Sequence, residues 1–178
     1  MREHRFKTKD GRDILVRPAE IRDAPALNKI YADTIAERKY LPELFVSLSL
    51  DEWREWLAKV NQNREVILVA EVDKQVVGHV SLQPEEWQTS QHVCILGIIV
   101  KKGFRNIGIG KALILAAIDA ALIVGYKKIT LSVFANNSRA IALYKKIGFE
   151  QVGCRRKQFY MNHEYIDEVL MELFIAPL

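Results

Sequence analysis

The sequence predicts an α/β fold of the α+β kind, a mixed sheet covered by helices on both faces. Three observations predict it. Segments with strand and helix periodicity follow one another in the order β-α-α-β-β-β-α-β-α-β-β. Early strands are joined by tight turns and later ones by helices, so antiparallel and parallel neighbours must share a sheet. One run, Val93–Val100, is almost wholly apolar, as a central strand buried on both faces is.

Asp13–Arg17 alternates weakly and stops at Pro18, which reads as a short first strand. Asp23 is placed to cap a helix running to about Glu37, with Ala26, Leu27, Ile30, Tyr31 and Thr34 on its buried side. Arg38–Ser49 contains Pro42 and has no clear period. Asp51-Glu52-Trp53 then opens a second helix to about Asn61. Val66–Val72 and Gln75–Leu82 form a hairpin around Asp73-Lys74, and Gln83–Gln91 is a polar loop. Val93–Val100 follows, and then the longest helix, Gly108–Gly125. In Lys128–Phe134, Ile129, Leu131 and Val133 alternate with Thr130, Ser132 and Phe134, giving a strand with two different faces. Asn137 caps a helix that ends at Gly148. Phe149–Phe159 and Glu164–Phe174 close the chain as a hairpin around Met161-Asn162-His163.

The 178 residues are 49% hydrophobic and 27% charged, ordinary for a globular chain. That length fits one domain spanning 1–178 and buries a core without help from disulfides or a structural metal. The N-terminus lacks an apolar signal region. The most apolar stretch, Ala112–Val124, is interrupted by Asp119 and falls short of the roughly 20 residues that cross a bilayer. A cytoplasmic protein with no membrane partner is expected. Cys94 and Cys154 have no metal-ligand spacing and are expected as two buried free thiols. The charge of +4, from 26 basic and 22 acidic residues, is interspersed, which argues against a nucleic-acid partner.

The informative stretch is Ile98–Ala112, I-I-V-K-K-G-F-R-N-I-G-I-G-K-A. A buried strand ends at Val100, a basic turn follows, and Gly108 and Gly110 open a helix. The first N–H groups of a helix lack internal partners, and the helix dipole adds positive charge there. Glycines let a phosphate approach that backbone, and Arg105 and Lys111 add full charges. This is a diphosphate site. A P-loop is excluded because Ile109 follows Gly108 and Ala112 stands where the magnesium-binding hydroxyl belongs. A Rossmann fingerprint is excluded because Leu113 replaces its third glycine.

What remains, R-x-x-G-x-G after a buried strand, resembles the coenzyme-A signature of the GNAT superfamily of N-acetyltransferases. The run Asn137–Phe149, N-S-R-A-I-A-L-Y-K-K-I-G-F, is similar to that family's N-x-x-A-x-x-L-Y-x-x-x-G-F. The opening V-R-P-A-E-I-R-D-A-P-A-L also resembles the family's start. Gly153–Met171, with Tyr165, Asp167 and Met171, is similar to the branch holding amino-acid and phosphinothricin acetyltransferases.

The resemblance implies a mostly antiparallel central sheet of about seven strands that splay apart in the middle. It implies acetyl-CoA as co-substrate, with the pantetheine arm on the backbone edge of Ile98, Ile99 and Val100. The diphosphate would sit on Arg105, Asn106, Ile107, Gly108, Ile109, Gly110 and Lys111. Asn137, Ala140 and Lys146 are further coenzyme candidates. Asn137 also serves as a helix cap, and Lys146, like Arg139, also reads as a solvated charge. Tyr144 is the acid for the leaving thiolate, since a phenol with a pKa of about 10 stays protonated at neutral pH. Ile98 is assigned the backbone N–H that steadies the carbonyl oxygen.

Many family members carry a glutamate on the central strand as general base, and Val93–Val100 holds no carboxylate. His79, His92, Glu85, Glu86 and a water chain stay open for that role. Arg38–Ser49 and Gln158–Tyr165 are expected to set the acceptor. Three functions follow: acetylation of a small-molecule primary amine, acetylation of a protein N-terminus or lysine, or coenzyme-A binding without catalysis. Lys111 and Asp119 are the only charges on the longest helix, which is either covered on both sides or meets a second subunit in a homodimer.

Overall fold

The computed structural model describes residues 2–46, 48–60 and 64–177. One sheet of eight strands runs through them in the order β1-β2-β3-β4-β5-β6-β8-β7. The strands are β1 (His4–Lys7), β2 (Asp13–Pro18), β3 (Val66–Val72), β4 (Gln75–Pro84), β5 (Val93–Val100), β6 (Lys128–Phe134), β7 (Glu150–Met161) and β8 (Glu164–Phe174). Every pairing is antiparallel except β5 with β6. The mixed, mostly antiparallel sheet is the expected fold with one strand more. That strand, β1, escapes sequence reading because His-Arg-Phe-Lys offers a single apolar side chain.

Among the described residues, four α-helices cover the sheet: α1 (Ala24–Ala36), α2 (Leu50–Lys59), α3 (Ile109–Val124) and α4 (Ser138–Ile147). On one face, α3 and α4 pack over Leu68, Val80, Cys94, Ile129, Leu131, Val169 and Met171. On the other, Leu27 of α1 and Trp53 and Leu57 of α2 close over Ile67 and Val69. Ser49 begins α2 with a capping box: its Oγ accepts from the Glu52 N–H at 3.3 Å, and Glu52 Oε2 accepts from the Ser49 N–H at 2.7 Å. The expected end of α2 at Asn61 lies outside the described residues.

Asp23 does not cap α1 through its side chain. Its carboxylate accepts from the Glu20 N–H at 2.8 Å and takes the Arg17 guanidinium in two bonds of 2.7 and 2.9 Å. Glu71 Oε2 joins the same guanidinium at 3.1 Å, so a three-residue ion network pins α1 to β2 and β3. Arg17 was invisible as a partner because Glu71 stands 54 residues away in sequence.

Asp73-Lys74 and Asn162-His163 make the two expected hairpin turns, with both residues of each at positive φ. β4 runs further than expected, to Pro84 opposite Cys94. Cys94 is buried, as expected, and burial pushes its thiol up to about 12. Cys154 is exposed, because β7 is the sheet's outer edge and most of it faces solvent.

Candidate active site

β5 and β6 run parallel only over Val93–Ile95 and Lys128–Thr130. Beyond those three pairs they separate. β5 stays bound to β4 as far as Gly78 opposite Val100, and β6 to β8 as far as Phe134 opposite Glu168. The inner edges of Leu96–Val100 and Leu131–Phe134 therefore diverge. Their backbone groups on that side lack strand partners, which is where an extended ligand can add hydrogen bonds. A cavity of about 570 Å³ fills the gap. The expected splay is present, and it corrects one expectation about β5. That strand is not buried on both faces: Ile95 is 39% exposed and Gly97 is open, because α1 and α2 leave this part uncovered.

The turn after β5 supplies the polar end of the cavity. Asn106 and Gly108 sit at φ of +67° and +108°, so the chain coils tightly before α3. The N–H groups of Ile109, Gly110 and Lys111 have no partner within the helix. A side chain at Gly110 would meet Leu143 Cδ2 at 3.3 Å, so the glycine lets α4 close over the mouth. Lys111 lines the cavity beside Lys9, Arg139 and Lys146. Lys9 comes from the unexpected β1 hairpin, which is tied to this turn by a 2.8 Å bond from the Lys9 N–H to the Ile107 carbonyl. The turn, its free N–H groups and its lysines fit a diphosphate.

Most of the expected residues meet here. Ile98, Ile99, Val100, Arg105, Asn106, Gly108, Gly110, Lys111, Asn137, Ala140, Tyr144 and Lys146 all line the cavity. Ile107 and Ile109 do not, because their side chains pack into the core beneath α3, leaving only their backbone near the mouth.

Arg105, expected as a full charge at the turn, is already engaged by neighbouring elements. Its guanidinium holds Glu37 in two bonds of 2.6 and 2.8 Å, its Nε donates to the Val100 carbonyl at 2.8 Å, and it stacks on Tyr40 at 4.4 Å. Arg105 thus lashes the turn to the end of α1 and the segment after it. Glu37 has its carboxyl held below the usual range, first by this guanidinium. The pair stands 68 residues apart in sequence, so no local pattern announces it.

Asn137 does cap α4, its Oδ1 accepting from the Ala140 N–H at 3.3 Å. Tyr144, 6% exposed, packs against Phe149, and burial pushes its phenol up to about 12. The base candidates do not gather at the cavity. His92 and the Glu85–Glu86 loop lie at the closed end, beyond Val93. His79, on β4, is buried against Trp53 of α2, where burial drives its imidazole down to about 4. Sequence reasoning missed a different acid. Glu168 on β8 is 5% exposed and lines the cavity beside Phe134 and Phe159. Its signal was faint: one glutamate in an alternating strand that already carries Glu164 and Glu172.

Residues 29–149 match the family model for the acetyltransferase (GNAT) family. The chain is 34% identical to the L-amino acid N-acetyltransferase AaaT of Escherichia coli, covering 89% of this chain and 96% of that protein. It is 31% identical to an N-alpha-acetyltransferase of Sulfurisphaera tokodaii, covering 97% and 98%. A solved GNAT-family acetyltransferase from Streptococcus pneumoniae superposes with a TM-score of 0.85 at 26% identity, over 92% of this chain and 99% of that one.

Proposed function

Because this chain belongs to the GNAT acetyltransferase family, we propose that it acetylates the primary amine of a small molecule, an amino acid or an analogue of one. It is an N-acetyltransferase, and acetyl-CoA is its acyl donor. When bound, the donor supplies a thioester whose carbonyl carbon the amine attacks directly.

The residues then divide the labour. The N–H groups of Ile109, Gly110 and Lys111, with the Lys111 and Lys9 ammoniums, hold the diphosphate. The open edge of Ile98, Ile99 and Val100 takes the pantetheine arm as an added strand, and the Ile98 N–H steadies the carbonyl oxygen. Ala140, Asn137 and Lys146 border the arm and the ribose end from α4. Arg105 acts as a positioning residue, since its guanidinium already spans Glu37, Tyr40 and Val100. Tyr144 gives its phenolic proton to the departing thiolate and regains one from solvent. The amine nitrogen loses one proton before attack and a second afterwards, so each turnover releases one net proton.

One observation carries the small-molecule reading. Asn162, at the turn between β7 and β8, donates through Nδ2 to the Arg38 carbonyl at 2.9 Å. That bond ties together the two segments expected to set the acceptor, which supports a closed acceptor site over one open to a peptide. A protein N-terminus is the second reading, supported by the likeness to the Sulfurisphaera tokodaii protein. A homodimer belongs to the same proposal, with Leu115, Leu122 and Ile123 exposed on α3; sedimentation velocity tests it.

The deciding experiment measures free-thiol release from acetyl-CoA against free amino acids, polyamines and N-terminal peptides. Higher kcat/KM for a free amine than for any peptide is expected. The reverse order overturns the acceptor class, and no thiol release with any amine leaves coenzyme-A binding alone.

A further inference from the structure

We infer that Glu168 recognises the ammonium of the acceptor, and that the acceptor is a primary amine with an apolar body. The inference rests on the acetyltransferase reading and concerns the part of the cavity beside β8. The cavity is electrically lopsided. Lys9, Arg105, Lys111, Arg139 and Lys146 line it, whereas Glu168 is its single carboxylate among the described residues.

Strand alternation fixes where that carboxylate stands. Leu131 and Val169 belong to the core beneath α3 and α4, with Tyr144. Phe134 and Glu168 face each other across β6 and β8, each an odd number of residues from those core positions, so they lie on the opposite face. The gap between β5 and β6 connects the two faces. An amine arriving beside Glu168 and a thiolate leaving beside Tyr144 are therefore on opposite sides of the sheet, so the acceptor and the leaving group do not compete for one space.

The surroundings name the ligand. Arg155 Nη1 donates to Glu168 Oε2 at 3.0 Å, and Oε1 takes no hydrogen bond from a described residue. That oxygen keeps its acceptor sites for a donor that enters the cavity. Beside it stand Phe134, directly opposite on β6, and Phe159, whose ring lies 4.9 Å from that of Phe134. That wall suits an apolar substituent, and the free oxygen suits a cation. Primary amines arrive at neutral pH as ammonium ions, with pKa values of about 10.

The test uses the whole chain saturated with coenzyme A and follows 2-phenylethylamine and its uncharged analogue 2-phenylethanol by calorimetry. Glu168→Gln keeps the shape and removes the charge. It is expected to weaken phenylethylamine binding by about 10- to 100-fold, the worth of one charged hydrogen bond. Phenylethanol binding and the KM for acetyl-CoA should stay within about twofold of wild type, since neither depends on the ion pair. Arg155→Ala breaks the same salt bridge but keeps the carboxylate, so it should retain most of the amine affinity. Equal amine binding by the Gln variant overturns the inference, and so does equal loss of both ligands or the same loss in Arg155→Ala. Absence of phenylethylamine binding to wild type overturns the apolar-amine class. Thiol release from acetyl-CoA with an undiminished amine KM in Glu168→Gln sinks this inference alone. No thiol release by wild type with any amine sinks the reading beneath it.

Discussion

Replacing Tyr144 by Phe isolates one oxygen atom. The phenol lines the cavity, lies 6% exposed, and its hydroxyl has no hydrogen-bond partner among the described residues. Removing an unpartnered hydroxyl from such a site strands no other group, so stability should hold within about 0.5 kcal/mol. The chemistry should not hold. Loss of a general acid lowers rate by about 10²–10⁴, and solvent can replace part of that, so kcat should fall at least about tenfold. Tenfold corresponds to about 1.4 kcal/mol of barrier. The pH dependence gives an independent check. With its pKa pushed up to about 12 by burial, Tyr144 stays protonated through the range in which the protein is assayed. The wild-type kcat profile should therefore show no alkaline fall from this group below about pH 11, and the variant should keep the same shape at lower height. Thiol release under saturating acetyl-CoA and amine, with thermal melts on the same samples, measures both. An unchanged kcat removes Tyr144 from proton transfer. A fall in kcat that tracks a lost melting transition makes its role structural.

Three further outcomes follow. Gly108→Ala meets no atom closer than 3.8 Å, yet it forces an L-residue to φ +108°; melts should show a loss of about 1–2 kcal/mol and calorimetry at least fivefold weaker acetyl-CoA binding. Asp23→Asn should cost about 3 kcal/mol in urea unfolding at pH 7, at the low end for a broken buried pair because Arg17 keeps Glu71. Burial raises the Asp23 pKa, but the Arg17 guanidinium and the Glu20 N–H outweigh it and leave the carboxyl below its ordinary value. Its contribution is therefore whole above the unfolded pKa of about 3.9 and lost as pH falls through the folded value, so the variant should lack that part of the acid loss. Asn162→Gly keeps the turn's positive φ and removes the bond to Arg38; the ratio of peptide to free-amine kcat/KM should rise severalfold, and an unmoved ratio discounts this strap as the gate.

Legibility in the sequence followed the range of each interaction. Strands, helices and caps depend on residues within a few positions, so Asn137 and the two hairpin turns could be read directly. The turn proposed to hold the diphosphate was legible because charge, glycine and helix start fall within seven consecutive residues, Arg105–Lys111. The pairing of Arg105 with Glu37 stayed hidden because Glu37 comes from another element. The exposure of Ile95 was hidden for a related reason. A continuous apolar run looks the same whether its neighbour stays paired or peels away after three residues. Glu168 was passed over because its burial depends on Arg155 and Phe134, contributed by β7 and β6.

The position of the site follows from the one parallel step in an otherwise antiparallel sheet. Parallel strands need a crossover, so β5 must lead into α3 before β6 can lie beside it. Because β5 and β6 point the same way, α3 and α4 both begin at the same end of the pair, and both pack on the same face. Two helix N-termini then converge on the gap, each with unpaired N–H groups and positive dipole ends. In an all-antiparallel sheet, successive connections alternate ends and this convergence is lost. The gap stays open because each strand is satisfied on its outer side, β5 by β4 and β6 by β8, so the unpaired inner edges do not unravel the sheet. A fold that pairs β5 and β6 fully would be the more stable sheet and would have no room for a thioester. The free backbone edge, the convergent helix starts and the passage between faces are thus consequences of a single topological choice, and Tyr144 and Glu168 gain their opposite stations from it.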